Sequence, residues 1–141
     1  MLRQKIHLSE WDWTIHAYYS VAGHYYTDEI MDRLVSLGCR GRNLQRAYTN
    51  LSSGTVDTGL TYSNLLKRET VMVVGYASSG EELFNSLLHE MRHVEEHIAK
   101  ASHIEPYGEP VAYLTGELGR QMYSCIGHYL CDCCRKHIQK N

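Results

Sequence analysis

Three residues in the middle of the chain, His89, Glu90 and His93, have the types and the spacing that metal-assisted hydrolysis requires, written as His-Glu-x-x-His. On a helix the two histidines fall one turn apart and within about 40° of each other, so both imidazoles can meet one ion. Glu90 lies about 100° round from His89, at the edge of that face, where a carboxylate can touch a metal-activated water without taking a ligand position. Zinc in a hydrolytic site takes three protein ligands and keeps a fourth position for water, whose pKa it lowers to around neutrality. Glu90 is then the expected general base. His97 cannot be the third ligand beside His89, because eight residues on one helix separate them by about 12 Å along the axis. His103, Glu105, Glu109 and Glu117 remain as candidates.

The elements around this triplet are legible. Ser79 and Glu82 have capping-box spacing, Glu81 adds negative charge in the first turn, and Leu83, Leu87, Met91, Val94 and Ile98 form an apolar stripe opposite the histidines. The helix frays through residues 99–102, and Pro106, Gly108 and Pro110 mark a reversal. A last long helix follows, with Val111, Leu114, Leu118, Met122, Cys125 and Tyr129 in a seven-residue rhythm, expected antiparallel to the motif helix. Upstream, alternation of Trp13, Ile15, Ala17, Tyr19 and Val21 predicts a half-buried strand closed by Gly23. Thr27 or Asp28 caps a helix that ends at Gly38, and residues 43–51 predict a second. After turn residues at 57–59, extended segments at 60–66 and 70–76 predict a hairpin whose second arm, Val71-Met72-Val73-Val74, feeds the motif helix. Residues 136–141 read as a loose tail. The expected fold is α+β, one domain over residues 1–141: a small antiparallel sheet with packed helices and zinc between the motif helix and the C-terminal helix.

Composition narrows the function classes. A formal charge of −2 on 141 residues gives no general attraction to nucleic acid or to anionic membrane. No stretch approaches the roughly 20 apolar residues of a membrane span, and the N-terminus lacks a secretory apolar run, so a cytoplasmic location is expected. Four of the five cysteines crowd between Cys125 and Cys134, which does not resemble a secreted disulfide framework and suits reduced thiols. With His128 and His137 they also allow a second, structural zinc site, or a redox or metal-sensing function.

Glu109-Pro110-Val111-Ala112 resembles the Glu-x-x-Ala element of gluzincin-type zinc metallopeptidases. With residues 85–90 before the histidines and residues 112–116 after the glutamate, the chain from Leu60 to Leu118 resembles the small, minimal gluzincins of phage and mobile-element proteins. The resemblance implies zinc held by His89, His93 and Glu109, catalysis by Glu90, and a peptide or protein substrate that adds itself to a sheet edge above the cleft. Glu95 and Glu96 occupy the stretch where the metzincin pattern would place its glycine. Tyr113 stands where several gluzincin groups have an aspartate or asparagine supporting a histidine ligand. Simple antiparallel-helix geometry favours Glu117 over Glu109 as third ligand. His103, Tyr107 and Tyr113 have the chemistry to stabilise an oxyanion. The alternative function is a zinc-stabilised protein-binding or regulatory module without turnover.

Overall fold

The computed structural model describes residues 2–21, 26–53 and 59–139. In chain order these form β1 (Leu2–Leu8), β2 (Trp13–Val21), α1 (Thr27–Ser36), α2 (Gly41–Ser52), β3 (Gly59–Asn64), β4 (Glu69–Gly75), α3 (Gly80–Ala101), α4 (Glu109–Leu130) and α5 (Asp132–Gln139). The α+β class agrees with the sequence. The strands make one sheet in the order β1-β2-β4-β3. It is mixed rather than antiparallel: β1 pairs antiparallel with β2 and β3 with β4, but β2 and β4 run parallel. The cause is the long connection after β2. The chain lays α1 and α2 on one face of the sheet before the hairpin begins, so the hairpin's second arm returns beside β2 in the same direction.

Two layers of helix therefore cover two faces of sheet. Tyr18, Val21, Val71 and Val73 pack against α1 and α2, whereas Trp13, Ile15, Ala17, Tyr19, Met72 and Val74 pack against α3 and α4. β4 is buried on both faces, which explains why its sequence is an uninterrupted apolar run. Val21 was expected on the face of Trp13 and Tyr19 and lies on the other. The pairing register shifts between Tyr18 and Val21, where Ser20 takes a positive φ of 58°, and one extra residue reverses the side-chain parity.

β1 was not anticipated, although Leu2, Gln4, Ile6 and Leu8 alternate with Arg3, Lys5 and His7. α1 begins at Thr27 itself, with Tyr26 before it in a left-handed conformation and no side-chain cap. It ends as expected at Gly38, at φ 86°, where the Cys39 and Gly38 amides donate to Leu34 and Val35 and satisfy two terminal carbonyls. Part of the supposed C-terminal tail is helical, since α5 runs to Gln139. Arg135 fixes α5 by donating to the carbonyls of Ala77 and Ser78, in the loop that leads into α3. Gly23 and most of the turn at 57–59 lie outside the described residues. Among the described residues no helix is long and apolar enough to cross a membrane.

Candidate metal centre

α3 starts where the capping residues require, with Ser79 Oγ accepting from the Glu82 amide at 3.1 Å. Its stripe Leu83, Leu87, Met91, Val94 and Ile98 is buried under the sheet, and this sets the rotation of every other side chain on the helix. His89 and His93 emerge exposed on one side. Their Nε2 atoms are 3.3 Å apart, with the rings at 75° to one another. Two nitrogens each about 2.05 Å from one zinc ion, at the tetrahedral angle, stand about 3.3 Å apart, so the donor set fits zinc in its two imidazoles. The same separation also allows one neutral ring to donate its N–H to the other.

Glu90 turns the other way from solvent and is 2% exposed. Its Oε2 accepts from Thr61 Oγ1 on β3 at 2.5 Å. Gly59, two residues earlier on the same face of β3, has a φ of 149°, and a Cβ there would stand 2.0 Å from the Val73 carbonyl oxygen and 3.1 Å from Glu90 Oε1. Only glycine lets the strand lie this close over the carboxylate. Two residues further on, Ser63 Oγ is 2.7 Å from His97 Nδ1 and 2.7 Å from Thr70 Oγ1, and Thr70 accepts from Trp13 Nε1 at 2.8 Å. The indole can only donate, and Thr70 is wholly buried. The arrangement in which each hydroxyl has an acceptor runs Trp13 to Thr70 to Ser63 to His97, leaving His97 neutral with its proton on Nε2. Burial, followed by the charge of His93, holds the His97 pKa below its ordinary value.

Sequence reading did not single out Gly59, Thr61, Ser63 or Thr70. The signal was present: the small residues Gly59, Thr61 and Ser63 alternate with Leu60 and Tyr62, the period of a strand that roofs a polar strip on one face and packs on the other.

The candidates for third ligand lie elsewhere. Thr115 Oγ1 donates to Glu95 Oε1 at 2.6 Å, and a Cβ on Gly80 would stand 2.1 Å from the Leu130 carbonyl oxygen, which together fix the antiparallel register of α3 and α4. In that register Glu117 is level with His93, and Glu109 is level with Ala101, about 12 Å further along the axis. Rotation separates both from the histidines. Glu95 marks the side of α3 that meets α4, and His93 is about 200° round from it, towards β3. Glu117 instead binds Arg120 and Gln121, which hold its pKa down to about 2, and it lines a groove with Glu10 and Trp11. Glu109 is exposed in the first turn of α4. The structure thus brings His89 and His93 together, sets Glu90 behind them under β3, and keeps Glu109 and Glu117 apart from the pair. Among the described residues no group of three or more His, Cys, Asp or Glu side chains is gathered closely enough to hold a metal ion, at the cysteine-rich C-terminus included.

His103, Tyr107 and Tyr113 are exposed on the turn after α3 and the start of α4, and Arg92 pairs with Glu95 and Glu96 at 3.4 and 3.5 Å. The chain matches no family model, no curated protein and no solved structure. Fold and site together define an α+β protein that presents a solvent-facing histidine pair on a long helix beneath an edge strand.

Proposed function

We propose that the protein is a zinc-dependent hydrolase, acting on peptide bonds, whose metal is bound through His89 and His93 and whose general base is Glu90. The observation that carries this reading is the 3.3 Å separation of the two exposed imidazole nitrogens, which suits two ligands of one tetrahedral ion. Glu109, the ligand implied by the resemblance to minimal gluzincins, stands away from the pair, so the reading rests on the histidines alone. Zinc, when bound, would supply a Lewis acid and a lowered water pKa. The remaining work falls to the chain. Thr61 holds Glu90 through Oε2, and Oε1, which lies against Gly59, would be the atom to take the proton of an attacking water and return it to the departing amine. Among the described residues β3 is an edge strand with one side unpaired, so an extended peptide could add itself there, above the helix that carries the histidines.

One observation favours a second reading. Glu90 is almost wholly buried and satisfied by Thr61, as a residue would be that only ties β3 to α3. In that case the protein is a zinc-stabilised binding module. Isothermal titration of the metal-free chain with zinc, followed by turnover measurements on a diverse peptide library, tests both. Binding of one zinc with hydrolysis that Glu90→Gln removes supports the peptidase. Binding without hydrolysis selects the module, and failure of zinc to bind removes both.

A further inference from the structure

The residues between α4 and α5 carry a second kind of chemistry. Cys131 closes α4 in an extended conformation, and its carbonyl accepts from the Arg135 amide at 2.9 Å, which makes it the residue immediately before the first turn of α5. Cys134 is the third residue of that turn. A side chain in the capping position reaches the backbone N–H of the residue three places on, and a side-chain hydrogen bond joins the Cys131 and Cys134 thiols across the turn. Cys133, one position earlier, points about 100° away. All five cysteines are free, Cys131 is exposed and Cys134 is half-buried.

We infer that Cys131 and Cys134 form a reversible dithiol–disulfide site, with Cys131 the attacking thiolate, Cys134 the resolving thiol and a low-molecular-weight disulfide as the oxidant. The electrostatics agree with the geometry. The Cys134 amide, then the Cys134 thiol and the Cys133 amide, donate to Cys131 sulfur and hold its pKa below the ordinary thiol value, whereas the neighbouring Cys131 pushes Cys134 up. Cys125 is half-buried against the core, and burial raises its pKa. The turn is also held firmly in place. Arg135, 7% exposed, donates to the Ala77 and Ser78 carbonyls, and Asp132, between the two cysteines, accepts from the Gly80 amide at 2.7 Å. The reactive pair is therefore preorganised on the N-terminus of α5 and packed against the start of α3.

The chemistry balances. Cys131 thiolate attacks one sulfur of the disulfide RSSR, forms a mixed disulfide and releases RS⁻. Cys134 loses its proton and attacks Cys131 sulfur, forming the internal disulfide and releasing a second RS⁻. Two protein thiols give up two electrons and two protons, and RSSR becomes two RSH.

The test is to equilibrate the reduced full chain with glutathione disulfide, quench in acid and map the thiols by mass spectrometry. The parent should form the 131–134 disulfide, and Cys133→Ser should do the same. Cys134→Ser should instead accumulate glutathione on Cys131, and Cys131→Ser should lose both products. A second readout is alkylation by iodoacetamide at neutral pH, where Cys131 should react several-fold faster than Cys133. Glutathione accumulating on Cys133 with Cys131 untouched, or a parent chain that forms no 131–134 disulfide, overturns the assignment.

Discussion

Thr61 on β3 and Glu90 on α3 share a hydrogen bond of 2.5 Å that joins the edge strand to the middle of the helix carrying the histidines. Because Glu90 is 2% exposed, this bond replaces the water that the carboxylate gave up on folding. Thr61→Val keeps the shape of the side chain and removes its donor, leaving a buried acceptor unsatisfied. The expected loss of stability is about 1–3 kcal/mol, read from the urea midpoint at unchanged m-value. A variant as stable as the parent would mean that Glu90 finds water or another partner, and that Thr61 does not hold it.

The histidine pair makes a separate prediction. If His89 and His93 share one ion, the chain should take up one zinc, and His89→Ala or His93→Ala should each abolish tight binding. Glu90→Gln should leave binding intact and reduce peptide hydrolysis by roughly two to four orders of magnitude, the usual worth of a positioned general base. Unaltered zinc uptake in the His89→Ala/His93→Ala double variant would put the ion elsewhere on the protein and sink the assignment.

Much of this arrangement is legible in the sequence because the strongest signals are local. The cap at Ser79, the stripe from Leu83 to Ile98 and the glycine stop at Gly38 each fix an element through contacts within a few residues, and each element is found where it was expected. Non-local facts are harder to read. Nothing within β2 or β4 says that they will lie side by side in parallel, because that depends on which face α1 and α2 cover. The side of α3 that meets α4 is likewise decided by which residues the sheet buries first, and so Glu95, not the histidine pair, faces Thr115 on α4. Thr61 and Ser63 gain their meaning only from the helix they roof.

His97 sets the pH dependence of stability. Its pKa in the folded protein is held below the ordinary value of about 6.5, first by burial and then by the charge of His93. The folded state therefore prefers the neutral ring. That contribution is fully present above about pH 6.5 and is lost as pH falls from there through the folded-state value. Protonation at Nδ1 would also reverse the hydrogen bond from Ser63 and leave the Ser63 hydroxyl proton without the acceptor it has in the neutral state. His16 is shifted in the same direction, by burial and then by Arg33, and adds to the slope. Unfolding by urea at a series of pH values between 7.5 and 5 should show stability falling with acid, and His97→Gln should flatten part of that fall. An identical slope in parent and variant would remove His97 from the account.

Glu109→Gln and Glu117→Gln bring the family resemblance and the helix register into direct opposition. The resemblance makes Glu109 the third ligand, in which case exchanging its anionic oxygen for a neutral amide should weaken zinc binding by at least the 10–100-fold typical of losses around a metal site. The register set by Glu95 with Thr115 and by Gly80 with Leu130 puts Glu109 about 12 Å beyond His93 along the axis and on the far side of α3. Glu117 is level with His93, but it is bound to Arg120 and Gln121 on that same far side. The geometry accordingly predicts that neither substitution changes zinc affinity measurably by isothermal titration, and that water or substrate completes the coordination. A tenfold or larger loss with Glu109→Gln alone would require the first turn of α4 to cross over α3 when zinc binds. The corresponding loss with Glu117→Gln alone would require a rotation of α4 about its own axis that breaks the pairing with Arg120.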